Sequence, residues 1–138
     1  MRPTSFCVMA ICTAVVASTA GAADPPAQDC SKVPDYAEMV ACVGRDAQEA
    51  NAKVTQAYEL LMKRLGTSSA ADKLRRSQKA WLEYQSAYCD FVKSANEGGS
   101  MVRITGALCY ADTAKSRLKE LEYQVDCQEG WSGCFRKQ

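Results

Sequence analysis

Apolar and small residues recur at helical spacing along most of the chain. After Pro34 they fall at Val40, Val43, Ala47, Ala50, Val54, Ala57 and Leu61, alternating steps of three and four. This stripe predicts a helix over about 36–65, roughly 45 Å long at 1.5 Å per residue, with Gly66 as its stop. A second stripe, Leu74, Trp81, Tyr84, Tyr88, Phe91 and Ala95, follows the capping-box-like Ser69-Ala70-Ala71-Asp72. It runs into Asn96-Glu97-Gly98-Gly99-Ser100, a turn signal. Ser100 is then placed to cap a third helix carrying Ile104, Leu108, Ala111, Leu118, Leu121 and Val125, which ends near Asp126.

No stretch alternates with the period of a strand, and the connections are short. The expected fold is therefore all-α, an antiparallel three-helix bundle running up, down and up. The first helix offers mainly Ala and Val, and the second Trp, Tyr and Phe. Large residues against small ones pack without voids, so Trp81, Tyr84, Tyr88 and Phe91 are assigned to the seam between these two helices rather than to a ligand-facing patch.

The first 23 residues stand apart from this pattern. Arg2, the apolar run Phe6–Val16 and the small residues Ala20-Gly21-Ala22 form a secretory signal peptide, too short to anchor the mature chain. Cys12 follows Ile11 and Cys30 follows Asp29, where a lipid-accepting cysteine needs a small residue before it, so a lipoprotein is not expected. Residues 24–35 form an N-terminal tail, 36–126 the helical domain and 127–138 a C-terminal tail. No later segment is apolar enough to span a membrane.

Of eight cysteines, six remain after the signal: Cys30, Cys42, Cys89, Cys109, Cys127 and Cys134. An even number in an exported chain implies disulfides in an oxidising compartment, periplasmic or extracellular. Six cysteines allow many pairings. The nearest-neighbour set, Cys30–Cys42, Cys89–Cys109 and Cys127–Cys134, makes the smallest loops: it pins the tail to helix one, clamps the Gly-Gly turn and closes the C-terminal tail.

Little catalytic chemistry is available. The chain has no histidine, which excludes Ser-His-Asp and Cys-His catalysis and the common His-containing zinc sites. It contains no C-x-x-C, P-loop or G-x-G-x-x-G motif. No catalytic residue, metal site or cofactor is assigned, and an enzyme is not expected. Near-neutral charge in an exported domain also argues against nucleic acid as a partner.

The stretch Gln78-Lys79-Ala80-Trp81-Leu82-Glu83-Tyr84, then Cys89, Gly98-Gly99-Ser100, and Cys109-x3-Thr113-x3-Arg117-x3-Leu121 resembles the lysozyme inhibitor LprI family. The Cys30 to Cys42 spacing followed by a polar helix fits its N-terminal half, so the resemblance covers about 29–124. The tail closed by Cys127 and Cys134 lies outside the pattern. The resemblance implies a small exported helical bacterial protein, with lysozyme inhibition as the activity of the named member. Matching positions carry structural roles: Trp81 and Tyr84 in the core, Cys89 and Cys109 as a clamp. Arg117 either pairs with a carboxylate of a neighbouring helix or is solvated.

Charge segregation suggests where a partner would sit. Acidic residues outnumber basic ones over 24–52, and the reverse holds over 53–93. In an antiparallel bundle the start of helix one and the helix-two/helix-three turn share an end, gathering Glu38, Asp46, Glu49 and Glu97. Lysozymes of animals are typically basic, so this acidic pole, tipped by Glu97, Gly98, Gly99 and Ser100, is the expected partner-binding surface. The alternative is a non-inhibitory envelope module whose opposite pole (Lys63, Arg64, Lys73, Arg75, Arg76, Lys79) meets an anionic cell-wall, lipid or protein partner.

Overall fold

The computed structural model describes residues 29–127 together with 133 and 134. The signal segment and most of the C-terminal tail lie outside the described residues. A short 3-10 turn, Cys30–Lys32, precedes three helices: α1, Tyr36–Leu65; α2, Ser69–Ser94; and α3, Val102–Val125. No strand occurs among the described residues.

Local chemistry sets the ends. The Asp35 carboxylate accepts from the Glu38 amide and caps α1. Gly66 ends α1 at φ 56°, where a side chain would be strained, and its amide donates to Met62 O. The α2 cap is Ser68, one residue earlier than the capping-box reading, and its hydroxyl accepts from the Ala71 amide. The expected cap of α3 is not made. Met101 occupies that position without a side-chain cap. Ser100 instead presents its carbonyl to the Tyr36 hydroxyl, which donates to it across the bundle.

That contact also fixes direction. Tyr36 and Ser100 precede or begin α1 and α3, and at the far ends Arg64 donates to Val125 O, so α1 and α3 run the same way. The Cys89–Cys109 disulfide and the Arg117 contacts to Ser77 and Gln78 place α2 antiparallel to α3.

Packing departs from the expected seam. α1 packs chiefly on α3, and α2 packs more on α3 than on α1. The core joins Ala50, Val54, Ala57 and Leu61 of α1 to Ala114 and Leu121 of α3. Alanines on both helices let the backbones approach closely. From α2 the partly buried Leu74 and Trp81 pack against this cluster. Leu108 of α3, expected inside, is exposed.

Tyr84, Tyr88 and Phe91 are outside as well, at 55%, 42% and 72% exposure. The inward face of α2 is Ala71, Leu74, Gln78, Trp81, Gln85 and Cys89. The reason is rotational. Cys89 is wholly buried in its disulfide to Cys109, and a neighbouring residue on a helix is turned by about 100°. Pointing Cys89 at α3 therefore turns Tyr88 to the flank, and Tyr84 goes with it.

The polar residues of that inward face are satisfied. Buried Gln85 donates through its amide nitrogen to Asn51 Oδ1 on α1 (3.3 Å) and to Tyr110 O (3.3 Å) and Thr113 Oγ1 (3.0 Å) on α3. Replacing Gln85 by Leu keeps the volume but strips those acceptors of a donor. The expected cost is about 1–3 kcal/mol in urea denaturation. An unchanged midpoint would show that water replaces the amide.

Candidate functional site

All three expected cystine pairs are present: Cys30–Cys42, Cys89–Cys109 and Cys127–Cys134, with Cα atoms 5.7, 5.6 and 5.6 Å apart. They bind the 3-10 turn to α1, clamp α2 to α3, and close the start of the C-terminal tail. No metal-binding cluster occurs among the described residues. No helix there is long and apolar enough to cross a membrane.

Five of the residues that carry the family resemblance, Gln78, Cys89, Cys109, Thr113 and Arg117, meet at the junction of α2 and α3. Cys109, Arg117 and Leu121 are buried at intervals of four or eight residues, and Thr113 is half-buried between them. Arg117 is 9% exposed. Its guanidinium donates to Gln78 Oε1 at 3.3 Å and Ser77 Oγ at 3.1 Å on α2, and pairs with Glu120 on its own helix at 2.6 Å. Both open readings are thereby replaced: Arg117 is neither solvated nor paired to another helix's carboxylate. It joins α2 to α3 through neutral acceptors.

The surfaces around it are of two kinds. The first is the aromatic ridge on α2. Tyr84 and Tyr88 stack with centroids 5.5 Å apart and planes 10° apart, and Phe91 continues the row 6.5 Å from Tyr88 at 39°. Exposed aromatic rings grouped on one helix face mark an interaction surface more than scattered ones do. Sequence reasoning found these residues but placed them on the wrong side of the helix. The obligatory inward direction of Cys89 was the signal that would have corrected it.

The second is the end of the bundle around the Glu97–Ser100 turn. The Tyr36–Ser100 contact brings Glu38 and the turn to the same end. The four carboxylates expected to act together there differ in environment. Asp46 pairs with Lys115 of α3 at 2.7 Å, and Glu49 with Lys53 at 2.8 Å. Glu38 and Glu97 have no side-chain partner among the described residues. Nearby, Asp90 pairs with Lys93 at 2.6 Å, a hydrogen bond that raises the lysine's pKa. Gly98 takes φ 74° and lets the turn close. The pole is thus mixed in sign, with Glu38 and Glu97 as its free negative charges.

Three helices stapled by disulfides, with a polar α2–α3 junction and an exposed aromatic ridge, define a class: a small disulfide-bonded helical domain. Residues 28–121 match the family described as lysozyme inhibitor LprI, and the chain belongs to that family. It is also similar to an uncharacterized protein, R02472, of Rhizobium meliloti (strain 1021). The two are 27% identical over 119 residues, covering 78% of this chain and 86% of that protein. No solved structure matches.

Proposed function

We propose that this protein is exported to the periplasm or beyond and inhibits a lysozyme or a related peptidoglycan-cleaving enzyme by docking onto it. The observation that carries this reading is the Tyr84–Tyr88–Phe91 ridge, three exposed rings in continuous contact on an otherwise polar helix. Tyrosine and other large aromatics supply much of the energy of protein interfaces at low entropic cost. Family membership supplies the partner class. Inhibition by docking needs no catalytic group or cofactor in this chain.

The ridge runs along α2 toward the Glu97–Ser100 turn, which would sit at the edge of the same contact. Charges at an interface edge act mainly on encounter rate and are screened by salt. Reversing Glu38, Asp46, Glu49 and Glu97 together should weaken inhibition of a basic lysozyme, with a larger loss at low ionic strength. Inhibition that is unchanged at low salt would remove this pole from the interface.

The whole proposal is tested by adding purified mature protein to a cell-wall lysis assay with several lysozymes. Inhibition at micromolar concentration is expected. Its absence across the panel would favour the alternative, a non-inhibitory envelope module.

A further inference from the structure

One face of α2 changes character from its start to its end. Lys73, Arg76, Ala80, Tyr84, Tyr88 and Phe91 follow one another at steps of three or four, so they share a face, and all are exposed. Cations stand at the start of this stripe, a small residue in the middle and the row of rings at the end. Glu97 follows in the turn beyond α2 and is exposed too.

Most other charges on α2 are matched within the helix. Asp72 pairs with Arg75, Lys79 with Glu83 and Asp90 with Lys93. Lys73, Arg76 and Glu97 make no ion pair or side-chain hydrogen bond among the described residues. The charge left over is therefore positive at one end of the stripe and negative at the other.

That polarity is self-complementary. Two copies of α2 laid antiparallel about a two-fold axis near Tyr84 bring Lys73 and Arg76 of each copy toward Glu97 of the other, because these charges lie on opposite sides of that centre at similar distances. The same register sets Tyr88 against Ala80 and Phe91 against Ser77, large rings over small residues. A parallel pairing would set cation against cation. A partner of one charge sign, such as an anionic lipid surface, would leave one end of the stripe repelled.

We propose that the protein forms a two-fold dimer through this face, α2 against α2 antiparallel, with the Tyr84–Tyr88–Phe91 ridge covered between the copies. Pairing needs nothing beyond this chain. Its consequence rests on the function proposed above: the ridge is also the surface that meets the target enzyme, so the dimer holds that surface in reserve and the enzyme competes with the second copy for it.

The test is sedimentation velocity on the mature, oxidised protein from about 1 μM to about 1 mM. The mass should rise from one chain to two across that range. Tyr84→Ala with Tyr88→Ala should weaken pairing about tenfold or more. Lys73→Glu with Arg76→Glu, and separately Glu97→Lys, should each weaken it as well, most at low salt, because like charges then meet at both ends. Mixing those two charge variants should restore a dimer with one chain of each, since unlike charges meet again. Every substituted position is exposed, so the variants should keep the Tm and helicity of the wild type at low concentration.

A single-chain mass up to about 1 mM would overturn the proposal, and ridge-dependent binding of that monomer to phosphatidylglycerol vesicles would assign the face to a lipid surface instead. A dimer indifferent to the tyrosine substitutions, or charge variants that fail to pair when mixed, would overturn it equally. Adding a lysozyme that the protein inhibits separates this idea from the one it rests on. A complex containing one copy is expected. A complex that keeps two copies would leave the pairing standing and take the inhibitory surface off the ridge.

Discussion

Replacing Cys89 and Cys109 together by alanine is expected to lower stability by about 3 kcal/mol, as the chain-entropy relation gives for a closed loop of this size. The disulfide joins residues 20 apart in sequence and clamps α2 against α3 across the glycine turn. Alanine is the right replacement because Cys89 is fully buried, and serine would add an unsatisfied hydroxyl there. For a domain near 100 residues the loss corresponds to a fall in Tm of roughly 15 °C. It should exceed the effect of removing Cys30–Cys42, which ties down a short 3-10 turn that buries no residue. A loss under about 1 kcal/mol would show that the Gln85 and Arg117 hydrogen bonds hold α2 without the clamp.

The second large effect separates binding from folding. Tyr84→Ala, Tyr88→Ala and Phe91→Ala should each leave Tm nearly unchanged, because all three rings are exposed. In the lysis assay at least one of them should cost about 2 kcal/mol or more, close to a thirtyfold loss of inhibitory potency. Trp81→Ala provides the contrast. Its ring packs on the α1–α3 core, so its removal should destabilise the fold by about 3 kcal/mol or more. If Tyr88→Ala destabilised as much as Trp81→Ala, the ridge would be core and this account of α2 would fail. If all three ridge variants inhibited as well as wild type, the partner would have to bind elsewhere.

Helix positions were legible from the chain because each rests on local chemistry. The stripe from Val40 to Leu61, the Gly66 stop and the paired glycines at 98 and 99 lie within a few residues of what they control. Cystine pairing was legible for a similar reason. Each pair joins neighbouring elements, so short loops and plausible topology agreed. The candidate site was legible in part. Tyr84, Tyr88 and Glu97 were singled out, but the aromatic residues were given the wrong side.

The sequence by itself determined three helices, their order and the cysteines available to staple them, since spacing and capping act within one or two turns. Only the tertiary structure decided which helix α1 would choose as its partner and how far α2 would be turned. Hydrophobicity favours burying aromatic rings, yet a helix has one rotation for all its residues. In α2 that rotation is set by the Cys89 disulfide and by Gln85 and Gln78, whose bonding partners lie on other helices. The aromatic ridge on the outside arises from contacts between residues far apart in the chain.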